Sequence, residues 1–206
     1  MNLHALLQLA VVSALVNNLV FSLMIGVCPL CGGSRRFSGA AWMGAAVIIV
    51  TGITSPTVWA FNRYLLVPHA LQSLQILSFI LVAVTIVQFL DMVLEKLVPR
   101  VYETVGAYLP VVATNCAVLA VCLLVAGNNP VTGRPFGAID AFVNGVAAGA
   151  GFLLATMLMA GIQYRLELSN VPRPLRGLPI TLLSAGIASL AFLGFAGLSF
   201  TTLFRG

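Results

Sequence analysis

The sequence predicts an all-α integral membrane protein with six transmembrane helices, arranged as two inverted three-helix repeats in which helices one and four break near the membrane midplane. Three observations support this prediction. The 206 residues are 60% hydrophobic and only 7% charged, whereas a soluble domain has about 25% charged residues. The apolar residues fall into six long runs. Polar residues interrupt two of those runs, at equivalent places in the two halves of the chain.

Six apolar runs account for most of the chain, and each is expected to be a helix. They cover residues 3–27, 40–61, 71–97, 105–126, 136–162 and 178–204. Each run reaches or exceeds the length of about 20 residues that crosses about 30 Å of hydrocarbon as a helix. A helix is expected because it satisfies its own backbone hydrogen bonds in lipid. Because the connections are short, residues 1–206 are predicted to form one domain, with repeat one over about 1–98 and repeat two over about 99–206.

The basic residues predict how the chain is oriented in the membrane. Seven of the ten lie in the first, third and fifth connections, and three lie on the opposite side. The seven are Arg35, Arg36, Lys96, Arg100, Arg165, Arg173 and Arg176, and the three are Arg63, Arg134 and Arg205. Because cytoplasmic loops carry the excess of Lys and Arg, both termini are expected on the outer side. The net charge of +5 therefore belongs to membrane loops, and no nucleic-acid partner is expected.

Two apolar runs carry polar residues deep in the predicted membrane segment. The first contains LVNNLVFSLMIGVCP and the fourth contains YLPVVATNCAVLAVC. In the simpler interpretation these amides hydrogen-bond between helices. In the second they form a site, because Pro29 and Pro110 interrupt the two runs, and paired broken helices of inverted repeats place a site at the midplane. From residues alone, two functions remain close alternatives: an electron-carrying subunit, or a transporter or permease subunit that binds a solute or ion.

Three segments together resemble the Rnf/Nqr family of membrane subunits. They are LVNNLVFSLMIGVCPLCGGSRR, LPVVATNCAVLAV and VPRPLRGLPITLLSAGIASLAFLGFAGL. The resemblance extends over essentially the whole chain, and the Cys-Pro and Thr-Asn-Cys segments are its most specific parts. The two adjacent asparagines before the first cysteine are similar to the A-type subunits of the Rnf branch, since the Nqr relative looks more like Glu-Asn there.

This resemblance implies a function in an ion-translocating oxidoreductase complex of a bacterial inner membrane. Such complexes pass electrons between NADH and ferredoxin or quinone and couple the transfer to Na⁺ or H⁺ movement. The A-type subunit is expected to pair with a homologous subunit of opposite topology, within a larger complex in lipid. A 2Fe–2S cluster shared by the pair is implied, with Cys28 and Cys116 as its ligands from this chain. The side chains expected beside it are Asn17, Asn18, Thr114 and Asn115.

The chemistry of the residues agrees with this implication. Iron–sulfur clusters take thiolate ligands, commonly four, and a thiolate in hydrocarbon is costly unless a metal neutralises it. A first helix that stops at Cys28-Pro29 would reach a cluster near the middle of the membrane, and a cluster there would divide an otherwise long electron transfer. Nucleotide chemistry is expected on partner subunits, because the chain has neither a Rossmann glycine pattern nor a P-loop.

Two further cysteines depart from the family's pattern. Cys31 forms a Cys-x-x-Cys with Cys28, which is a weak redox signal outside a thioredoxin-like fold. Cys122 follows Cys116 by six residues, about 600° along a helix, so the two side chains face different ways. Cys122 is expected to be a small buried apolar residue. A zinc site is a poor alternative, because neither histidine lies near the cysteines in sequence.

Two acidic residues, Asp91 and Glu95, lie one helical turn apart near the cytoplasmic end of the third run. Asp91 falls where the family commonly has a glutamate. A cation site or a subunit contact is one interpretation, and an interfacial helix end paired with Lys96 or Arg100 is the other. The second is preferred, because both acids lie close to the interface. A complete ion path within this subunit is not expected, because no carboxylate lies clearly at the membrane centre.

Overall fold

Six helices form most of the described part of the chain, which confirms the predicted all-α class. The computed structural model describes residues 3–26, 37–68, 72–97, 112, 115–127, 129, 133, 135–169, 172 and 177–197. In chain order the helices are α1 (Leu3–Val11), α2 (Phe37–Phe61), α3 (Gln75–Leu97), α4 (Cys116–Ala126), α5 (Ala138–Glu167) and α6 (Leu178–Gly197). α1 and α2 each continue into one wider π-helical turn, over Val12–Val16 and Asn62–Leu66.

Three of the helices are long and apolar enough to cross a membrane. Their apolar stretches are Gly39–Leu66, Gln75–Val93 and Ala138–Leu166, whereas Leu6–Val16, Cys116–Ala126 and Leu178–Gly194 are shorter. The sequence predicted six apolar runs of about 20 residues or more, with helices one and four broken near the midplane. Within the described residues, the first, fourth and sixth helices are shorter than those runs. The first helix ends at Val16, and the prediction that it continues to Cys28-Pro29 was wrong. It stops because the Asn18 side chain accepts the next backbone N–H groups.

The antiparallel pair of α2 and α5 is the centre of the described structure. Its contacts join Trp59 to Phe136, Ser55 to Ala141, Thr51 to Gly145, Ile48 to Gly149 and Gly44 to Leu153. Glycines bring the two backbones close together, since a methyl group at Gly145 would lie 2.5 Å from the Thr51 carbonyl oxygen. This small-residue packing is the kind that associates helices in lipid.

The other helices surround this pair. α3, α4 and α5 share one apolar core, which contains Val87, Val118, Val121 and Phe152. α1 lies along α5, where the Ser13 hydroxyl donates to Asn144 Oδ1 at 2.6 Å. Large apolar side chains such as Leu81, Phe89 and Leu190 remain exposed on α3 and α6, as expected for helix sides that face lipid or other subunits. The inverted symmetry and the position of the helix breaks relative to the bilayer stay predictions.

Candidate functional site

The first part of the site is the point where α1 ends. The backbone N–H of Asn17 donates to the Val12 carbonyl at 2.8 Å and closes the π-helical turn. Beyond it, residues 17–26 are not helical. Side-chain amides compete with the backbone for hydrogen bonds, and two adjacent asparagines are therefore an effective stop signal for this helix.

Asn18 both ends α1 and ties the following segment to α5. Its Oδ1 accepts from the backbone N–H groups of Val20 at 3.1 Å and Phe21 at 3.4 Å. Its Nδ2 donates to the carbonyls of Ala14 at 3.1 Å and Gly151 at 3.0 Å. Asn18 is fully buried, and its bond to the Gly151 carbonyl links the end of α1 to α5, as the simpler interpretation of these amides expected. Its predicted place beside a cluster stays a prediction.

The segment formed by residues 17–26 is also held by α6. The Ser189 hydroxyl donates to the Phe21 carbonyl at 2.5 Å, and the rings of Phe21 and Phe192 lie 4.7 Å apart. Within the segment, Met24 has φ +54° and Gly26 has φ +84°. Left-handed backbone is unfavourable for a residue with a side chain such as Met24, and such strain persists only where the surrounding contacts over-determine it.

The second part of the site is the beginning of α4. Asn115 is the N-cap residue, with extended backbone, and its Oδ1 accepts from the Ala117 N–H at 3.0 Å. Cys116 is the first residue of the helix and its side chain is exposed. Cys122 is fully buried, in an apolar cluster with Val58 and Phe79. The predictions that the two cysteines face different ways and that Cys122 is a buried apolar residue are thereby confirmed.

The two parts meet halfway along α5. A methyl group at Gly26 would lie 3.0 Å from Ala117 Cβ, 3.1 Å from Phe152 Cε2 and 3.3 Å from Asn115 Oδ1. Asn18 is bonded to the carbonyl of the preceding residue on α5, Gly151. The end of segment 17–26 and the N-terminus of α4 therefore lie at the same height along α5, near the middle of its 30 residues. Such a helix is about 45 Å long.

Some predicted site residues are placed by the structure and others are not. Asn17, Asn18, Asn115, Cys116 and Cys122 are described, whereas Cys28, Cys31 and Thr114 lie outside the described residues. The close approach of Gly26 and the anchor at Ser189 have no signal in the local sequence, because both depend on contacts between distant parts of the chain. Over the described ranges, no group of three or more His, Cys, Asp or Glu side chains is placed to hold a metal ion.

The surroundings of Asp91 on the third helix differ from the ion-paired helix end that the sequence analysis preferred. Asp91 is half-buried, and its Oδ1 is shielded from solvent without a hydrogen-bond partner among the residues described. Glu95 and Lys96 are exposed. The predicted pairing of Asp91 with Lys96 is therefore not seen, and the alternative partner, Arg100, lies outside the described residues. The physical reason is the helical period, which turns Asp91 toward the same side as buried Val87 and Ala83.

Comparison with known proteins gives a consistent result over almost the whole chain. The family described as Rnf-Nqr subunit, membrane protein, matches residues 6–199. The chain is 42% identical over 193 residues to a protein of Azoarcus sp. (strain BH72) named as the A-type subunit of an ion-translocating oxidoreductase complex, covering 94% of this chain and 97% of that relative.

Two further relatives are similar over comparable lengths. The chain is 44% identical over 192 residues to the protein of the same name from Serratia proteamaculans (strain 568), covering 93% of this chain and 96% of the relative. It is 42% identical over 183 residues to the A-type subunit of the Na(+)-translocating ferredoxin:NAD(+) oxidoreductase complex of Acetobacterium woodii, covering 89% and 92%.

Proposed function

Because the chain belongs to the Rnf-Nqr family of membrane subunits, we propose that it is the A-type subunit of an ion-translocating oxidoreductase complex. In that complex, Cys28 and Cys116 would hold a 2Fe–2S cluster jointly with a homologous partner subunit. The chain would have no independent catalytic activity. Its part in the complex would be to hold an electron carrier within the membrane, in a transfer between NADH and ferredoxin or quinone that is coupled to Na⁺ or H⁺ movement.

One observation, more than any other, supports the proposal that Cys28 and Cys116 are ligands of the same cluster. Gly26 lies in contact with Asn115 and Ala117, which flank Cys116 at the N-terminus of α4. Two residues of extended chain span about 7 Å, so the covalent connection from Gly26 permits Cys28 to come close to Cys116. Gly26 and Ala117, which are far apart in the sequence, come together beside Phe152 of α5.

The local chemistry at Cys116 suits a thiolate ligand. Its thiol is exposed at the first position of a helix, where the backbone N–H groups of the first turn have no acceptor within the helix. An exposed thiol in a membrane segment is also accessible to another subunit. Four thiolates are the common ligand set, and two from this chain would leave two for the partner. When bound, such a cluster takes up and releases one electron at a time.

We propose the orientation that the basic residues predict, with both termini on the outer face of a bacterial inner membrane. Seven of the ten basic residues lie in the connections assigned to the cytoplasm. A C-terminal alkaline phosphatase fusion is then expected to be active, because this enzyme requires an oxidising compartment, and a fusion to the connection that contains Arg35 and Arg36 is expected to be inactive. The reverse pattern of activities would contradict the orientation.

The proposed function is tested by measuring iron and acid-labile sulfide per chain under anaerobic conditions. The measurement compares the intact membrane complex with this subunit purified by itself. We expect iron in the complex and none in the lone subunit, because a cluster shared across an interface needs both sets of thiolates. Iron retained by the lone subunit would instead contradict a shared cluster and would make Cys31 and Cys122 candidate ligands. An intact complex without iron would favour the transporter or permease subunit.

A further inference from the structure

Asn115 carries a buried amide next to Cys116 whose donor is left without a partner. The residue is 6% exposed, and its Nδ2 is shielded from solvent with no hydrogen-bond acceptor among the described residues. A buried N–H without an acceptor costs free energy, and unpaired buried groups are rare in native proteins. The unpaired Nδ2 donor therefore indicates an acceptor that does not belong to the described residues.

The N-cap hydrogen bond of α4 fixes the orientation of the Asn115 side-chain amide. Asn115 Oδ1 accepts from the Ala117 N–H at 3.0 Å, which commits the oxygen to the cap and leaves Nδ2 as the donor available to another group. Asn144 is the informative comparison, because its Nδ2 is also buried without a partner in the described ranges. Its Oδ1 accepts from the Ser13 hydroxyl, which can both donate and accept. A half-turn of the Asn144 amide would therefore give Nδ2 an acceptor, whereas a half-turn of Asn115 would break the cap.

The free donor of Asn115 lies where the two cysteine-bearing segments meet. Asn115 Oδ1 is 3.3 Å from the position that a Gly26 Cβ would occupy, and Nδ2 belongs to the same planar amide. Cys116 follows Asn115 directly in the chain. The donor is therefore close to the contact between Gly26, whose segment leads to Cys28, and the helix that begins with Cys116. Thiolate and sulfide sulfur are acceptors for an amide N–H, so the residues present fit a sulfur-ligated group at this place.

We infer that Asn115 Nδ2 donates a hydrogen bond to a sulfur atom of the group bound at Cys116 and thereby raises its reduction potential. This inference rests on the proposed function. Reduction adds negative charge to the sulfur atoms, and a fixed N–H donor stabilises that charge more in the reduced state than in the oxidised state. Asn18 has no such capacity, because both of its N–H groups donate to carbonyls of this chain. Asn115 is in this way distinguished from Asn18, the other candidate whose side-chain hydrogen bonds are described.

The test is a redox titration of the intact complex, followed by electron paramagnetic resonance (EPR), with Asn115→Ser and the matched control Asn144→Ser. Serine is also a good N-cap residue, so Asn115→Ser removes the amide donor and keeps a cap for α4. We expect about a tenfold lower equilibrium constant for one-electron reduction in Asn115→Ser, which is about 59 mV toward negative potential. Asn144→Ser is expected to leave the potential unchanged.

The outcomes separate this inference from the proposed function. A Cys116-dependent signal whose potential is the same in wild type and Asn115→Ser overturns the inference alone. A signal that survives Cys116→Ala overturns the ligand assignment as well. If the complex with Asn115→Ser does not assemble, the hydrogen bond is tested in the wild-type complex instead. With asparagine labelled by ¹⁵N at the side-chain amide, pulsed EPR of the reduced complex should detect a coupled ¹⁵N nucleus, and the absence of such a coupling overturns the inference.

Discussion

Replacing Cys116 by serine is expected to remove the iron–sulfur signal and electron transfer, whereas Cys122→Ser is expected to keep both. The structure makes the two cysteines a matched pair on one helix. Cys116 is exposed at the first position of α4, and Cys122 is fully buried. Loss of a residue that only supports a metal ligand costs about 10–100-fold, so loss of the ligand itself should lower electron transfer by about 100-fold or more.

The buried site of Cys122 explains why the second variant should be mild. Its neighbours Val58, Leu66 and Phe79 are apolar, so Cys122 behaves as a small packing residue. A serine hydroxyl at this helical position can donate to the carbonyl one turn earlier, which limits the cost of burying it.

Iron, acid-labile sulfide and the EPR signal are measured in the intact complex for both variants. Equal amounts of assembled complex are confirmed beforehand, because a variant that does not assemble would also lose iron. A cluster signal retained in Cys116→Ser would contradict the ligand assignment. A signal lost in Cys122→Ser, with assembly unchanged, would make the buried cysteine a ligand.

Replacing Gly145 by alanine is expected to destabilise the protein strongly, whereas Gly161→Ala on the same helix is expected to have little effect. A methyl group at Gly145 would lie 2.5 Å from the Thr51 carbonyl oxygen and 2.7 Å from Ser55 Cβ, so α2 and α5 must move apart. A methyl group at Gly161 has no atom of the described residues within 4 Å. Overpacking of a tight interface costs about 3 kcal/mol, while alanine in an open helical position gains up to about 1 kcal/mol.

The thermal midpoint of the purified protein in one detergent measures this difference. A loss of about 3 kcal/mol corresponds to a midpoint lower by about 10 °C for a chain of this size, with Gly161→Ala at or slightly above the wild-type value. Equal midpoints for the two variants would show that the α2–α5 contact is looser than the structure has it. A deficit confined to the assembled complex would instead place the effect at a subunit interface.

The sequence alone determined the class of this protein, because transfer from water to lipid depends on composition and on the length of apolar runs. A chain that is 60% hydrophobic and 7% charged is stable in a membrane and not in water. The membrane in turn predicted helices, because a helix satisfies its own backbone hydrogen bonds in lipid. The Cys-Pro and Thr-Asn-Cys segments were specific enough to indicate the family that residues 6–199 match. The opposite exposure of Cys116 and Cys122 followed from their six-residue separation on a helix.

The tertiary structure decided where the helices end and which residues meet. Hydropathy cannot place the end of α1, because this end depends on the Asn18 amide and on the carbonyl of Gly151, which is 133 residues away. For the same reason, the contact between Gly26 and the N-terminus of α4 has no signal in the local sequence. Apolar runs report the free energy of burial residue by residue. The site depends on hydrogen bonds and close approaches between segments that only the folded chain brings together.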